Sequence, residues 1–160
     1  MLVQFDTEQI SQFIHEDPVR PHLSAEFRTS GGRKVYALKQ SDGSIDAICC
    51  VAYMFGIPTT EEDLDGLDVL TQLKQKEAGI IDSPTVVPYT IWSYSRGAGR
   101  ELLLELLKKT KKDCEDWPLS YKPFFITLSP KTEMAAKFHL SNGARLIQEN
   151  ETTNNFEYKV

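Results

Sequence analysis

Trp92-Ser-Tyr-Ser-Arg-Gly-Ala-Gly-Arg-Glu-Leu-Leu-Leu-Glu-Leu-Leu107 is where an extended run, 86–92, passes through a turn with glycines at 97 and 99 into a leucine-rich helix. A glycine turn between a strand and a helix N-terminus leaves backbone N–H groups unpaired at the positive end of the helix dipole. That arrangement suits phosphate oxygens. Arg96 and Arg100 add charge of the matching sign. A phosphorylated ligand is expected on this turn.

The pattern on either side extends the unit into a domain. Downstream, the spacing predicts a helix from Gly99 to Lys112 with Leu103, Leu106 and Leu107 toward a sheet. The basic run Lys108 to Lys112 closes its last turn, as the dipole favours. Trp117, Pro118 and Pro123 mark a loop, and Phe124 to Leu128 reads as a strand. A helix over Thr132 to Leu140 has Thr132 as its cap and Gly143 as its C′ residue. Strands at 145–149 and 155–160 follow, joined by a polar turn. Upstream, Asp6-Thr7 caps a first helix through His15, which Pro18 and Pro21 stop. Strands are predicted at 26–30, 34–40 and 45–55, with Gly31-Gly32 and Asp42-Gly43 turning between them. Thr60 caps an acidic helix running past Leu70, and Pro84 introduces the strand before the glycine turn. The sum is one α/β domain over residues 1–160, with a mixed, mostly antiparallel central sheet flanked by helices.

Bulk properties narrow the function. A net charge of −5 argues against a nucleic-acid partner or a membrane surface. The start, Met-Leu-Val-Gln-Phe-Asp, lacks signal-peptide character, and three cysteines make no disulfide framework, so a cytoplasmic protein is expected. Cys49 and Cys50 fall in an apolar strand and read as small hydrophobes. His15, His22 and His139 share no metal-ligand spacing with each other or with the cysteines, and no metal is expected.

The element order, the strand–turn–helix unit and the closing strand–helix–strand unit together resemble the GNAT superfamily of N-acetyltransferases, from about Lys34 onward. The family's pyrophosphate loop reads Gln or Arg, two residues, Gly, one residue, Gly or Ala. Two registers match it in part: Arg96 with Gly99 and Glu101 last, or Tyr94 with Gly97 and Gly99. The family's later helix shows an opening Asn, an Ala three residues on, a Tyr seven on and a Gly at eleven. Thr132, Ala135, His139 and Gly143 hold those places here.

The resemblance implies an acetyl-CoA site in a V-shaped gap between strands 86–93 and 124–128. Pyrophosphate would sit on the amides of Gly97, Ala98, Gly99, Arg100, Glu101 and Leu102, with Arg96 and Thr132 alongside. Pantetheine would pair with the strand near Ile91, Trp92 and Ser93. His139, in the tyrosine's place, would protonate the leaving thiolate as an imidazolium.

No general base stands out. Glu61, Glu62, Asp63 and Asp65 could attract a cationic amine, or simply form a solvated loop. Glu101 suits a helix N-terminus but opposes a polyanionic ligand. Trp92, Tyr94 and Trp117 either stack on a ligand or pack in the core. The expected activity is acetyl transfer from acetyl-CoA to an amine of a small molecule or protein. The alternative is a non-catalytic CoA-binding or protein-interaction domain of the same fold. A third reading, malonyl-CoA decarboxylation, is suggested by the phrase Thr127-Leu-Ser-Pro130. Edge strands in the closing hairpin leave a homodimer open.

Overall fold

Residues 45–55 carry a single charge, as suits a strand covered on both faces. In the computed structural model, which describes residues 1–65, 84–115 and 123–160, they form the long strand β3 (Ile45–Phe55), buried continuously from Ala47 to Ala52. Around it run β1 (Leu2–Phe5), β2 (Arg33–Lys39), β4 (Pro84–Ser93), β5 (Phe124–Ile126), β6 (Ser129–Pro130), β7 (Arg145–Glu149) and β8 (Thr153–Tyr158). The order across the sheet is β1-β2-β3-β4-β5-β8-β6, with β7 paired to β8. Only β4 and β5 are parallel; the other paired strands are antiparallel.

Helices cover the two faces unequally. On one face lies α3 (Ala98–Asp113), whose Leu102, Leu103 and Leu106 meet Val51, Val86 and Phe125. The shorter α4 (Glu133–Ser141) adds Ala136 and Phe138 to that core. The other face is closed by the N-terminal arm with α1 (Thr7–Ser11) and α2 (Ala25–Thr29). There Ile10, Ala25 and Phe27 pack on Val35, Ile48, Tyr89 and Trp92.

Several boundaries differ from the sequence expectation. Residues 26–29 lie in α2 and Ser30 caps its end, where the sequence predicts a strand over 26–30: Ser24 Oγ accepts from the Phe27 amide and starts a helix there. The first antiparallel partner of the meander is instead β1, paired from Leu2 to Phe5 with Leu38 to Val35. The first helix stops at Ser11, although its predicted cap is present, Asp6 and Gln9 forming a reciprocal capping box. The acidic segment forms a single 3₁₀ turn, Glu61–Asp65. The continuation past Leu70 and the Trp117-Pro118 loop lie outside the described residues.

The arm is fastened by charge. Asp17 and Arg28 are both buried and paired at 2.8 Å. Asp17 Oδ1 also accepts from the amides of Val19 and Arg20 and from the Thr90 hydroxyl of β4. Arg28 donates to the carbonyls of Leu23 and Arg20 as well. Burial opposes the guanidinium's charge, but the Cys50 sulfur and the Asp17 carboxylate beside it outweigh that and hold it charged. Removing one member of such a pair strands the other in the interior. Asp17→Ala should therefore cost about 3–5 kcal/mol of stability, read as a fall in the urea midpoint.

Candidate functional site

Parallel strands β4 and β5 stay bonded only at their start. Thr85 and Val86 lie opposite Phe124 and Phe125, and the Leu128 amide donates to the Pro88 carbonyl at 3.2 Å. The β3–β4 register then skips Tyr89, placing Cys50 opposite Thr90 and Val51 opposite Pro88. A one-residue bulge of this kind bends and twists its strand. Beyond it, among the described residues, β4 has β3 on one edge and no strand on the other. The result is a V whose apex is at Pro88 and Leu128. Ile91, Trp92 and Ser93 stand on its open edge. Ile91 packs toward α3, whereas the Trp92 side chain is buried on the opposite face and donates from Nε1 to the Tyr94 hydroxyl at 2.8 Å. Only the Trp92 backbone can face the V. Tyr94 is exposed.

The glycine turn sits at the open end of the V. Gly97 has φ +83°, a left-handed value that disfavours side chains, and α3 begins one residue later. Gly99 lies in ordinary helix, where an added Cβ would meet Phe138 and Ser93 at 3.7–3.8 Å, normal contact. Gly97 is thus the conformationally required glycine of the pair, which favours the register with Tyr94 in the place of the family's Gln or Arg. The amides divide cleanly. Ala98 donates to the Ser95 carbonyl and Glu101 to that of Gly97. Those of Arg96, Gly97, Gly99 and Arg100 have no acceptor among the described residues, so they are the donors left for an anion. Leu102 is buried in the core, and the Arg96, Arg100 and Glu101 side chains are exposed. Thr132 caps α4 by accepting from the Ala135 amide at 3.2 Å.

His139 is buried on α4. Its Nδ1 lies 2.7 Å from the Tyr158 hydroxyl, and its ring stacks on Phe156 and meets Phe138 edge-on. Burial pushes its pKa down to about 4, and burial holds the Tyr158 hydroxyl protonated. The imidazole is neutral near pH 7, which corrects the expected imidazolium: among the described residues no carboxylate pairs with it to repay the lost hydration. Cys49 and Cys50 are fully buried, and burial pushes both thiols up, Cys50 to about 11, so neither is a nucleophile.

Two of the four acidic side chains of the turn, Glu61 and Asp63, are already engaged within the protein. Asp63 accepts from the amides of Thr59 and Thr60, which hold its carboxyl below the usual range despite partial desolvation. Glu61 accepts from Arg20 at 2.9 Å and from His22 at 2.8 Å. Desolvation raises its pKa, and these two bonds more than reverse that. Arg20 itself reaches across the V, a placement that the sequence reading missed. Its one local sign is Pro18 and Pro21 on either side, which deny this segment helical hydrogen bonding. Tyr158, the partner of His139, was missed too, because it lies on another element.

Comparison with known structures identifies the fold. Malonyl-CoA decarboxylase from Agrobacterium vitis matches 100% of this chain with a TM-score of 0.72 at 15% identity. The enzyme from Cupriavidus metallidurans matches 99% with a TM-score of 0.63 at 13% identity. The chain spans 60% of the length of each of these decarboxylase chains. NAA60 from Arabidopsis thaliana, in complex with acetyl-CoA, matches 99% of this chain and 97% of its own, with a TM-score of 0.60 at 13% identity. The chain has the GNAT acyl-CoA N-acyltransferase fold. No protein-family model and no curated protein matches the sequence. Among the described residues no helix is long and apolar enough to cross a membrane.

The buried imidazole makes stability depend on pH. His139 binds its proton near pH 6.5 when unfolded and near pH 4 when folded, so the unfolded state holds more protons between those values. Stability should fall as pH drops through that window, by about 3 kcal/mol for a shift of this size. Denaturant titrations at pH 7 and pH 4.5 check this, and His139→Phe should flatten the slope.

Proposed function

We propose that this domain binds an acyl-CoA in the V and transfers the acyl group, acetyl from acetyl-CoA, to an amine. The carrying observation is the strand that leaves its neighbour at Pro88 and ends in a turn with four unpaired amides. The residues suit the ligand: the amides of Arg96, Gly97, Gly99 and Arg100 would take pyrophosphate oxygens, with the two arginine side chains adding charge. The open edge of Ile91 to Ser93 would hold the pantetheine, which directs the thioester toward Thr90 and Tyr89. Thr132 would border the site from α4.

The ligand supplies an activated acyl carbon. The protein orients the acceptor against it and excludes water. In direct transfer the carbon–sulfur bond breaks as the carbon–nitrogen bond forms, and the amine's proton ends on the thiol. In this reading Tyr158 donates to Nδ1 of His139, so the neutral ring carries its proton on Nε2. A neutral N–H can stabilise developing charge on sulfur by hydrogen bonding without giving up its proton. The acceptor is a small-molecule or protein amine.

A second reading, decarboxylation of malonyl-CoA, draws on the match of this whole chain to 60% of each of the two decarboxylase chains. It also draws on the buried Thr127 and Ser129 hydroxyls, 2.8 Å apart where β5 passes into β6. Release of carbon dioxide from malonyl-CoA without any amine would establish it over the first.

Acetyl-CoA at a hundred times its Kd should stabilise the domain by about 2.7 kcal/mol, raising Tm by roughly 5–10 °C. No shift at millimolar CoA would sink the acyl-CoA reading. Glu101→Gln should tighten CoA binding severalfold at low salt, an effect that fades as ionic strength rises. Calorimetry at two salt concentrations reads it.

A further inference from the structure

The V has a charged floor. The last bond between its two sides runs from the Leu128 amide to the Pro88 carbonyl. One step further, the carbonyls of Tyr89 and Leu128 both accept from a single guanidinium, Arg20, through Nε at 3.0 Å and Nη2 at 3.2 Å. Glu61 takes Nη1 at 2.9 Å from the arm's outer side and shares its carboxylate with His22. Arg20 is 7% exposed, and Asp17 holds its backbone amide. These bonds use three of the five guanidinium N–H donors, and among the described residues the other two have no acceptor.

A thioester drawn along Ser93 to Ile91 would arrive at Thr90 and Tyr89, the residue whose carbonyl this guanidinium holds. Whatever follows the acyl carbonyl must then meet the guanidinium. A methyl group is short enough to stop before it. An aliphatic chain would have to bury itself against a cation and offer no hydrogen bond in return. A carboxylate would gain charge-assisted bonds from the two unused donors.

We infer that Arg20 selects the acyl group: the apex takes short acyl chains, oxygen-ended ones above all, and turns away longer aliphatic ones. The inference rests on the acyl-CoA reading of the V. It concerns what lies beyond the thioester, so it applies to either reaction considered for the site. Arg20 would touch the acyl group, while Glu61 acts through it by offsetting the guanidinium's charge.

The test compares CoA, acetyl-CoA, malonyl-CoA and butyryl-CoA by calorimetry and thermal shift. The wild-type domain, Arg20→Met and Glu61→Gln are each measured. In the wild type, acetyl-CoA and malonyl-CoA should bind about tenfold or more tighter than butyryl-CoA. Arg20→Met should erase or reverse that ranking, while free CoA, which has no acyl group, is affected least. Glu61→Gln removes the guanidinium's counterion and should raise the malonyl-to-butyryl preference severalfold. Equal wild-type affinities for acetyl- and butyryl-CoA would overturn the inference, as would a ranking that survives Arg20→Met. Should Arg20→Met fail to fold, an unchanged malonyl-to-butyryl ratio in Glu61→Gln would overturn it instead. If the wild type binds neither CoA nor any thioester, the acyl-CoA reading itself falls, and that outcome is distinct from binding without selection.

Discussion

Two parallel strands that separate inside a sheet leave a row of backbone groups without partners, and buried groups of that kind are costly. This constraint organises the molecule. At the apex the cost is met from within, because Arg20 satisfies the Tyr89 and Leu128 carbonyls together. Further along, among the described residues, the open edge from Thr90 to Ser93 has no such substitute, and on the proposed reading a ligand with amides of its own would supply one. The V is thus held open from the face opposite α3. Asp17 and Arg28 fix the arm that delivers Arg20, and Thr90 ties the same carboxylate to β4. Arm and strand form one polar assembly.

The two sides of the site differ in dielectric character. On the α4 side, His139 is enclosed by Phe138, Phe156 and Tyr158 and stays neutral. On the arm side, Arg20, Glu61 and His22 are linked through charge-assisted bonds. A group on the α4 side can polarise or hydrogen-bond, but it cannot cheaply become charged. Charge change during any reaction is therefore better accommodated on the arm side.

Much of the architecture was legible because it rests on local signals. The nearly uncharged run of β3, the glycine turn, the leucine stripe of α3, the Thr132 cap and the glycine after α4 each follow from residues adjacent in sequence. The fold resemblance rested on the same signals, and the structural comparisons agree with it. The failures have a common cause as well. Residues 26–30 alternate enough to suggest a strand, but Ser24 and Glu26 favour a helix start, and that local chemistry prevails. Arg20 bonds partners 41 to 108 residues away, and no periodicity reports such distances. The protonation state of His139 depends on rings from other elements, so residue identity carries its reference pKa without the environment that moves it.

A domain with a net charge of −5 is an unpromising receptor for a polyanion until the charges are located. Along the V, Arg96, Arg100 and the positive end of α3 stand at the open end, and Arg20 stands at the floor. Glu101 opposes them, but its side chain is exposed, and water and salt screen it more than they screen groups inside the cleft. Glu61 is already engaged by two donors. The field within the V can thus be favourable although the surface as a whole repels. Attraction would be short-ranged and confined to the cleft, which fits recognition of a bound phosphate group better than long-range steering of one.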